Sequence, residues 1–200
     1  MDKLTAPYIK ETALEELTNA AFTDMTPLLE CIKGDKPKQE TLFKALNSER
    51  YLYFVFRAYD DYINPVRTEY NSKIYLEEVV EVFITGENLS KYIEIEVSPI
   101  NTKFQALIRK RGKKRGLKLI KEPIFESIAL INDSGYDIII KLDKKKVADK
   151  LNIRRLDKIR FNAYRIDRPV NDIELSALNP TYRDTFHVLS SFIGLIEEEL

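Results

Sequence analysis

From residue 40 onward the chain is built of short runs in which apolar and polar side chains alternate with a period of two. Residues two apart on a strand share a face, so this pattern demands extended chain with one side turned to a core. Residues 41–46 and 51–59 read as a hairpin closed by Asn47-Ser48-Glu49-Arg50, and in its second strand Leu52, Phe54, Phe56 and Ala58 share one face. Further strands are expected at 79–84, 92–97, 103–109, 117–120, 126–131, 136–142, 159–166 and 192–197, with Asn132-Asp133-Ser134-Gly135 as a turn between two of them. Nine or ten strands at this spacing predict an all-β chain, a sandwich or a barrel. Helical signals are confined to 11–20 and to 144–151, the latter with Asp143 as N-cap. No repeat or linker divides residues 1–200, which predicts one domain.

Composition removes several functions. Lys plus Arg and Asp plus Glu both number 32, so no global field selects nucleic acid or an anionic membrane. Cys31 is alone and His187 is the one histidine, which excludes an internal disulfide, a thiolate cluster and a multi-histidine metal site. There is no phosphate-binding glycine loop and no nucleophile elbow, and His187 within Thr185-Phe186-His187-Val188-Leu189 reads as structural. No cofactor is expected; calcium has acids enough but no loop with its ligand spacing. The opening residues lack a leader-like apolar run, so the expected location is cytoplasmic, or extracellular if a leader has been removed. The basic run Arg109-Lys110-Arg111-Gly112-Lys113-Lys114-Arg115-Gly116 reads as a solvated hairpin loop, since no aromatic interleaves it for nucleic-acid stacking.

The chemistry-bearing residues are carboxylates and rings. In Ile74-Tyr75-Leu76-Glu77-Glu78-Val79-Val80-Glu81-Val82-Phe83-Ile84, Glu81 interrupts an apolar strand. A carboxylate there either partners an arginine or belongs to a polar site on a sheet face. Glu77 with Glu78, and Glu94 with Glu96, are paired acids that fit glycoside hydrolysis in principle but read more simply as solvated strand faces. With 11 Tyr, 10 Phe and no Trp, the chain offers flat rings beside polar groups, as at Tyr75 with Glu81 and along Asn162-Ala163-Tyr164-Arg165. Sugars present apolar faces and hydroxyl edges, which such mixtures match.

Four segments, in order, resemble carbohydrate-binding module family 9 and its family-9-like (DOMON-like) relatives. They are Glu49-Arg50-Tyr51-Leu52-Tyr53-Phe54-Val55, then 75–84, then Ile159-Arg160-Phe161-Asn162-Ala163-Tyr164-Arg165, and finally Leu175-Ser176-Ala177-Leu178-Asn179-Pro180 through Phe186-His187 to Phe192-Ile193-Gly194. The resemblance spans residues 40–197 and implies a non-catalytic, all-β fold, an antiparallel β-sandwich of jelly-roll type with one or two short helices, whose partner is a carbohydrate, a mono- or oligosaccharide held at a chain end between two rings. It places the rings at Tyr75 and Phe186, with His187 lining the site instead if Phe186 turns inward, a sugar-binding carboxylate at Glu81 and a hydrogen-bonder at Arg183; Asn162 and Arg165 are expected to bind hydroxyls too. Both family tryptophans are replaced by smaller rings, and Glu96 stands where the family has an arginine. Alternatives are a sandwich that serves protein interaction and, further off, a glycoside hydrolase.

Overall fold

The computed structural model describes residues 1–17, 20–111, 114–169 and 172–199. In chain order the elements are β1 (Lys3–Ala6), β2 (Thr26–Pro27), β3 (Leu29–Glu30), β4 (Thr41–Asn47), β5 (Tyr51–Tyr59), β6 (Val79–Thr85), β7 (Lys91–Val97), β8 (Lys103–Arg111) and β9 (Lys114–Leu119). They continue with β10 (Phe125–Asn132), β11 (Gly135–Asp143), α1 (Lys144–Leu151), β12 (Arg160–Asp167), β13 (Glu174–Ala177) and β14 (Ile193–Glu197). The strands form a β-sandwich. One sheet of nine strands runs β1-β14-β12-β6-β7-β8-β9, with β13 also paired to β12 and to β3; the other runs β10-β11-β5-β4-β2. Among the described ladders, pairing is antiparallel except for β1 beside β14.

Alternation decides what lies between the sheets. Phe43, Phe54, Phe56, Tyr136, Ile138 and Ile140 of the five-stranded sheet face Val80, Val82, Ile93, Ile95, Phe161 and Ala163 of the other. Phe43 packs edge-on to Phe56 at 5.0 Å between centroids, and Phe161 stacks on Phe54 at 5.9 Å. Each buried ring of this kind contributes roughly 1.5–3 kcal/mol.

Both outer faces are covered as well. Leu14, Leu17 and Ala21 close over Tyr53, Val55 and Ile139 on the smaller sheet. On the larger sheet, Cys31, Ile74, Phe186 and Phe192 cover Val79, Phe83, Tyr92, Phe104 and Tyr164. Double coverage explains why every residue of β6 is buried.

The expected strands are present, and Asp143 caps α1 by accepting from the Lys146 N–H. At the 132–135 turn, Gly135 has φ +142° and a Cβ there would lie 2.0 Å from the Ala58 carbonyl oxygen, so glycine is required. Two expectations are corrected. Where an α-helix was expected over 11–20, residues 14–17 form a 3-10 turn, and 18 and 19 lie outside the described residues; Leu14 and Leu17, three apart, both reach the sheet from one side of that turn. The basic run is mostly strand rather than loop, with Lys110 paired to Arg115 and Arg109 to Gly116; Gly112 and Lys113 lie outside the described residues. Strands β1, β2, β3 and β13 were invisible to periodicity, being two to four residues long. No helix among the described residues is long and apolar enough to cross a membrane.

Candidate functional site: a buried carboxyl cluster on the outer sheet face

On the outer face of the nine-stranded sheet, register brings three carboxyls together. Glu81 of β6 pairs directly across from Glu96 of β7, and Glu94 lies two residues away on the same face. Glu94 and Glu96 are not solvated as expected: relative exposures of Glu81, Glu94 and Glu96 are 3%, 5% and 0%. The loops that carry Ile74, Phe186 and Phe192 shield the face.

Among the described residues, neither Glu96 oxygen has a donor within hydrogen-bonding geometry, nor does Oε2 of Glu94. The Tyr75 backbone lies near Glu96 and favours its charged form. Burial, followed by mutual repulsion, pushes Glu81 and Glu96 well above the usual carboxylate range. Glu94 is raised by burial too, partly countered by Glu96, with which it can share a proton, and by Arg115 of β9.

Aromatic and polar groups ring these acids. His187 stacks on Phe83 at 5.1 Å and 24°, and its Nδ1 shares a 2.5 Å hydrogen bond with the Tyr92 hydroxyl while lying 3.9 Å from Glu94 Oε2. Burial and the charge of Glu94 push the Tyr92 phenol upward, so it stays protonated. Tyr75, half-buried on the turn before β6, packs edge-on to Phe104 at 5.9 Å, with Glu96 and Glu94 close enough to raise its phenol further.

Of the residues expected to form the site, the structure brings Tyr75 and Glu81 to this face. Phe186 also lies there, but turned inward: its ring stacks on Tyr164 at 4.3 Å and 15°, and it is 6% exposed. Asn162 is on the face and is consumed by the closing segment. Its Nδ2 donates to the Asn179 carbonyl and to Ser191 Oγ, and its Oδ1 accepts from the Ala163 and Asn179 N–H groups. Arg183 is exposed, on the segment leading to Phe186.

Arg165 departs furthest from expectation. It points to the opposite side of the sheet, into the layer between the sheets. There Nε donates to Glu78 (2.7 Å), Nη1 to Thr41 Oγ1 (3.2 Å) and the Tyr59 carbonyl (2.9 Å), and Nη2 to Asp60 (2.6 Å). Asp167 lies 3.8 Å from Nη2, and the Tyr136 hydroxyl donates to Glu78 at 2.5 Å. Asp60, Glu78 and Asp167 offer oxygens within 4.8 Å of one another, a separation that also suits a metal, but the Arg165 guanidinium supplies the positive charge. Burial pushes Glu78 up to about 7 against the pull of Arg165. Three donors aim at it, from Arg165, Tyr136 and the Arg168 N–H, and we assign it as the anion at neutral pH.

The spacing of Asn162 and Arg165 held the signal for this separation: three apart on one strand, they face opposite ways. Tyr92 and Arg115 were not expected in a site, Glu94 was expected only as half of an acid pair, and His187 only as a stand-in for Phe186 should that ring turn inward. Nothing local marks Tyr92 or Arg115, because β6–β7 and β8–β9 register brings them to the acids.

No protein-family model and no curated protein matches the sequence. Solved structures do match in fold. A candidate carbohydrate-binding protein from Bacteroides uniformis superposes with a TM-score of 0.76 at 14% identity, over 98% of this chain and 99% of its own. A family 9 carbohydrate-binding module from Caldicellulosiruptor kristjanssonii in complex with glucose gives 0.70 at 10% identity, over 99% and 96%. A family 9 module from the same organism in complex with cellotriose gives 0.68 at 11%, over 99% and 94%. From end to end, therefore, this chain has the fold seen in family 9 carbohydrate-binding modules.

Proposed function

We propose that the chain binds carbohydrate without catalysis, at the outer face of the nine-stranded sheet. The observation that carries this reading is the set of unpartnered oxygens on Glu94 and Glu96, buried beneath the rings of Tyr75 and His187. Buried polar atoms are normally satisfied, and orphaned acceptors under an aromatic rim favour a hydroxylated ligand. The fold is that of modules solved with glucose and with cellotriose, which raises the weight of a sugar over other polyols.

In this reading Tyr75 covers a sugar face, His187 takes the place across from it that the sequence assigned to Phe186, and Glu81, Glu94 and Glu96 bind hydroxyls. Arg165 and Asn162 serve the scaffold, and Arg183 reaches the ligand only from the rim. Hydrolysis is disfavoured because all three acids stand side by side on one face, whereas the reaction needs an acid and a base or nucleophile flanking the bond.

Tyr75→Ala tests the assignment. We expect sugar affinity to fall by about tenfold or more, with the melting temperature within a few degrees of the parent, since the ring is half-buried. Saturation-transfer NMR against mono- and oligosaccharides, each paired with its reduced alditol, reads both binding and reducing-end preference. Equal signal in parent and variant would remove Tyr75 from the site. A second reading, a sandwich used for protein interaction, is favoured by the inward stacking of Phe186 on Tyr164; silence across the whole panel would select it.

A further inference from the structure

We infer that the outer-face site takes a cationic sugar, an amino sugar whose protonated amine seats among Glu81, Glu94 and Glu96. The inference rests on the carbohydrate-binding reading above and adds the charge of the ligand. It starts from the groups that face the three acids from each packed element. Tyr92 of β7, Tyr164 of β12 and Tyr75 of the turn before β6 are phenols, each held protonated. His187 stands over Glu94 at 3.9 Å, too far for a hydrogen bond, with its Nδ1 committed to Tyr92. Arg115 approaches from β9 but is exposed at the sheet edge. Among the described residues, no lysine or arginine forms an ion pair with any of the three acids.

The stoichiometry of the orphaned atoms is specific. Apart from a proton that Glu94 and Glu96 can share, three oxygens lack a donor among the described residues, Oε2 of Glu94 and both of Glu96. An ammonium group brings three donors and one compact charge, whereas a hydroxyl brings one donor and leaves the repulsion between carboxyls in place. The other face of the same sheet shows how buried carboxyls are settled within this fold: Arg165 Nη2 stands 2.6 Å from Asp60 and its Nε 2.7 Å from Glu78, with Asp167 at 3.8 Å from Nη2. The outer cluster lacks such an internal cation, and a ligand amine supplies it. The crowded acids hold protons when the amine is absent, so an entering ammonium sends a proton to solvent and leaves a carboxylate at its side.

Titration calorimetry at neutral pH, in two buffers of different ionisation enthalpy, tests this with a glucosamine trimer, its fully N-acetylated counterpart and cellotriose. N-acetylation keeps the ring and removes the charge. We expect the glucosamine trimer to bind about tenfold or more tighter than either neutral trimer, with a buffer-dependent heat that reports proton release. Glu94→Gln should narrow that gap. Cellotriose binding as tightly as the glucosamine trimer would overturn the cationic ligand and leave the sugar site standing. Binding of none of the three would remove the sugar site and this inference together. Stabilisation by calcium alone, with no gain from the glucosamine trimer, would assign the acids to a metal and overturn the inference.

Discussion

Among the described residues, two groups of three carboxyls lie buried on opposite faces of the same sheet, and one of them surrounds a cation. Asp60, Glu78 and Asp167 surround Arg165, which also bonds Thr41 and the Tyr59 carbonyl on the facing sheet, so the inner cluster is a cross-link between layers. Among the described residues, Glu81, Glu94 and Glu96 form no ion pair with a lysine or arginine; phenols, an imidazole and a distant guanidinium are the polar side chains around them. The contrast teaches that burial of acid is not by itself a sign of function. An acid cluster whose countercharge comes from the chain is part of the scaffold, and one left short of partners must hold protons or await a ligand.

The largest effect should come from making the inner cluster resemble the outer one. Arg165→Met leaves Asp60, Glu78 and Asp167 together without a cation and frees two acceptors on the facing sheet. We expect a loss of about 3–5 kcal/mol in urea titration. A loss under about 1 kcal/mol would break the comparison, because protonation alone would then suffice for either cluster.

Tyr136→Phe is gentler. It removes one donor from Glu78 and leaves Arg165 in place, for an expected cost of about 1–3 kcal/mol by the same measurement.

On the outer face the sign reverses. Glu96→Gln removes one of three mutually repelling acids and adds an amide donor beside Glu94, so stability at pH 8 should rise by about 1 kcal/mol. Destabilisation of that size would mean that the parent cluster is already satisfied.

The smallest effect is the pH dependence of the parent. Glu81, Glu94 and Glu96 have folded-state values above those of unfolded carboxyls, which lie near about 4.3. Between the two the folded chain binds more protons than the unfolded one. These groups therefore contribute stability that is complete below the unfolded value and lost as pH rises through the raised one. The melting temperature should rise as pH falls from about 8 toward about 5.5, and Glu96→Gln should flatten that slope. A parent curve as flat as that of the variant would place the three acids outside the titration.

The fold was legible because its instructions are local. Alternation in 51–59 and 79–84, Gly135 in a turn that tolerates no Cβ, and Asp143 at the start of α1 each act within a few residues. The short strands β1, β2, β3 and β13 were not legible, since two to four residues carry no period; they form where an existing edge offers hydrogen bonds.

For the site, the sequence by itself determined that Glu81 interrupts an apolar strand, that Glu94 and Glu96 share a face, and that Asn162 and Arg165 do not, all of which follow from a strand period of two. Only the tertiary structure decided that Glu81 meets Glu96, that Glu78 rather than Glu81 receives Arg165, that Phe186 packs inward, and that His187 stands over Glu94. Pleating fixes the side to which a residue points, but strand register and loop closure fix its neighbours, and both are set by contacts between segments far apart in the chain.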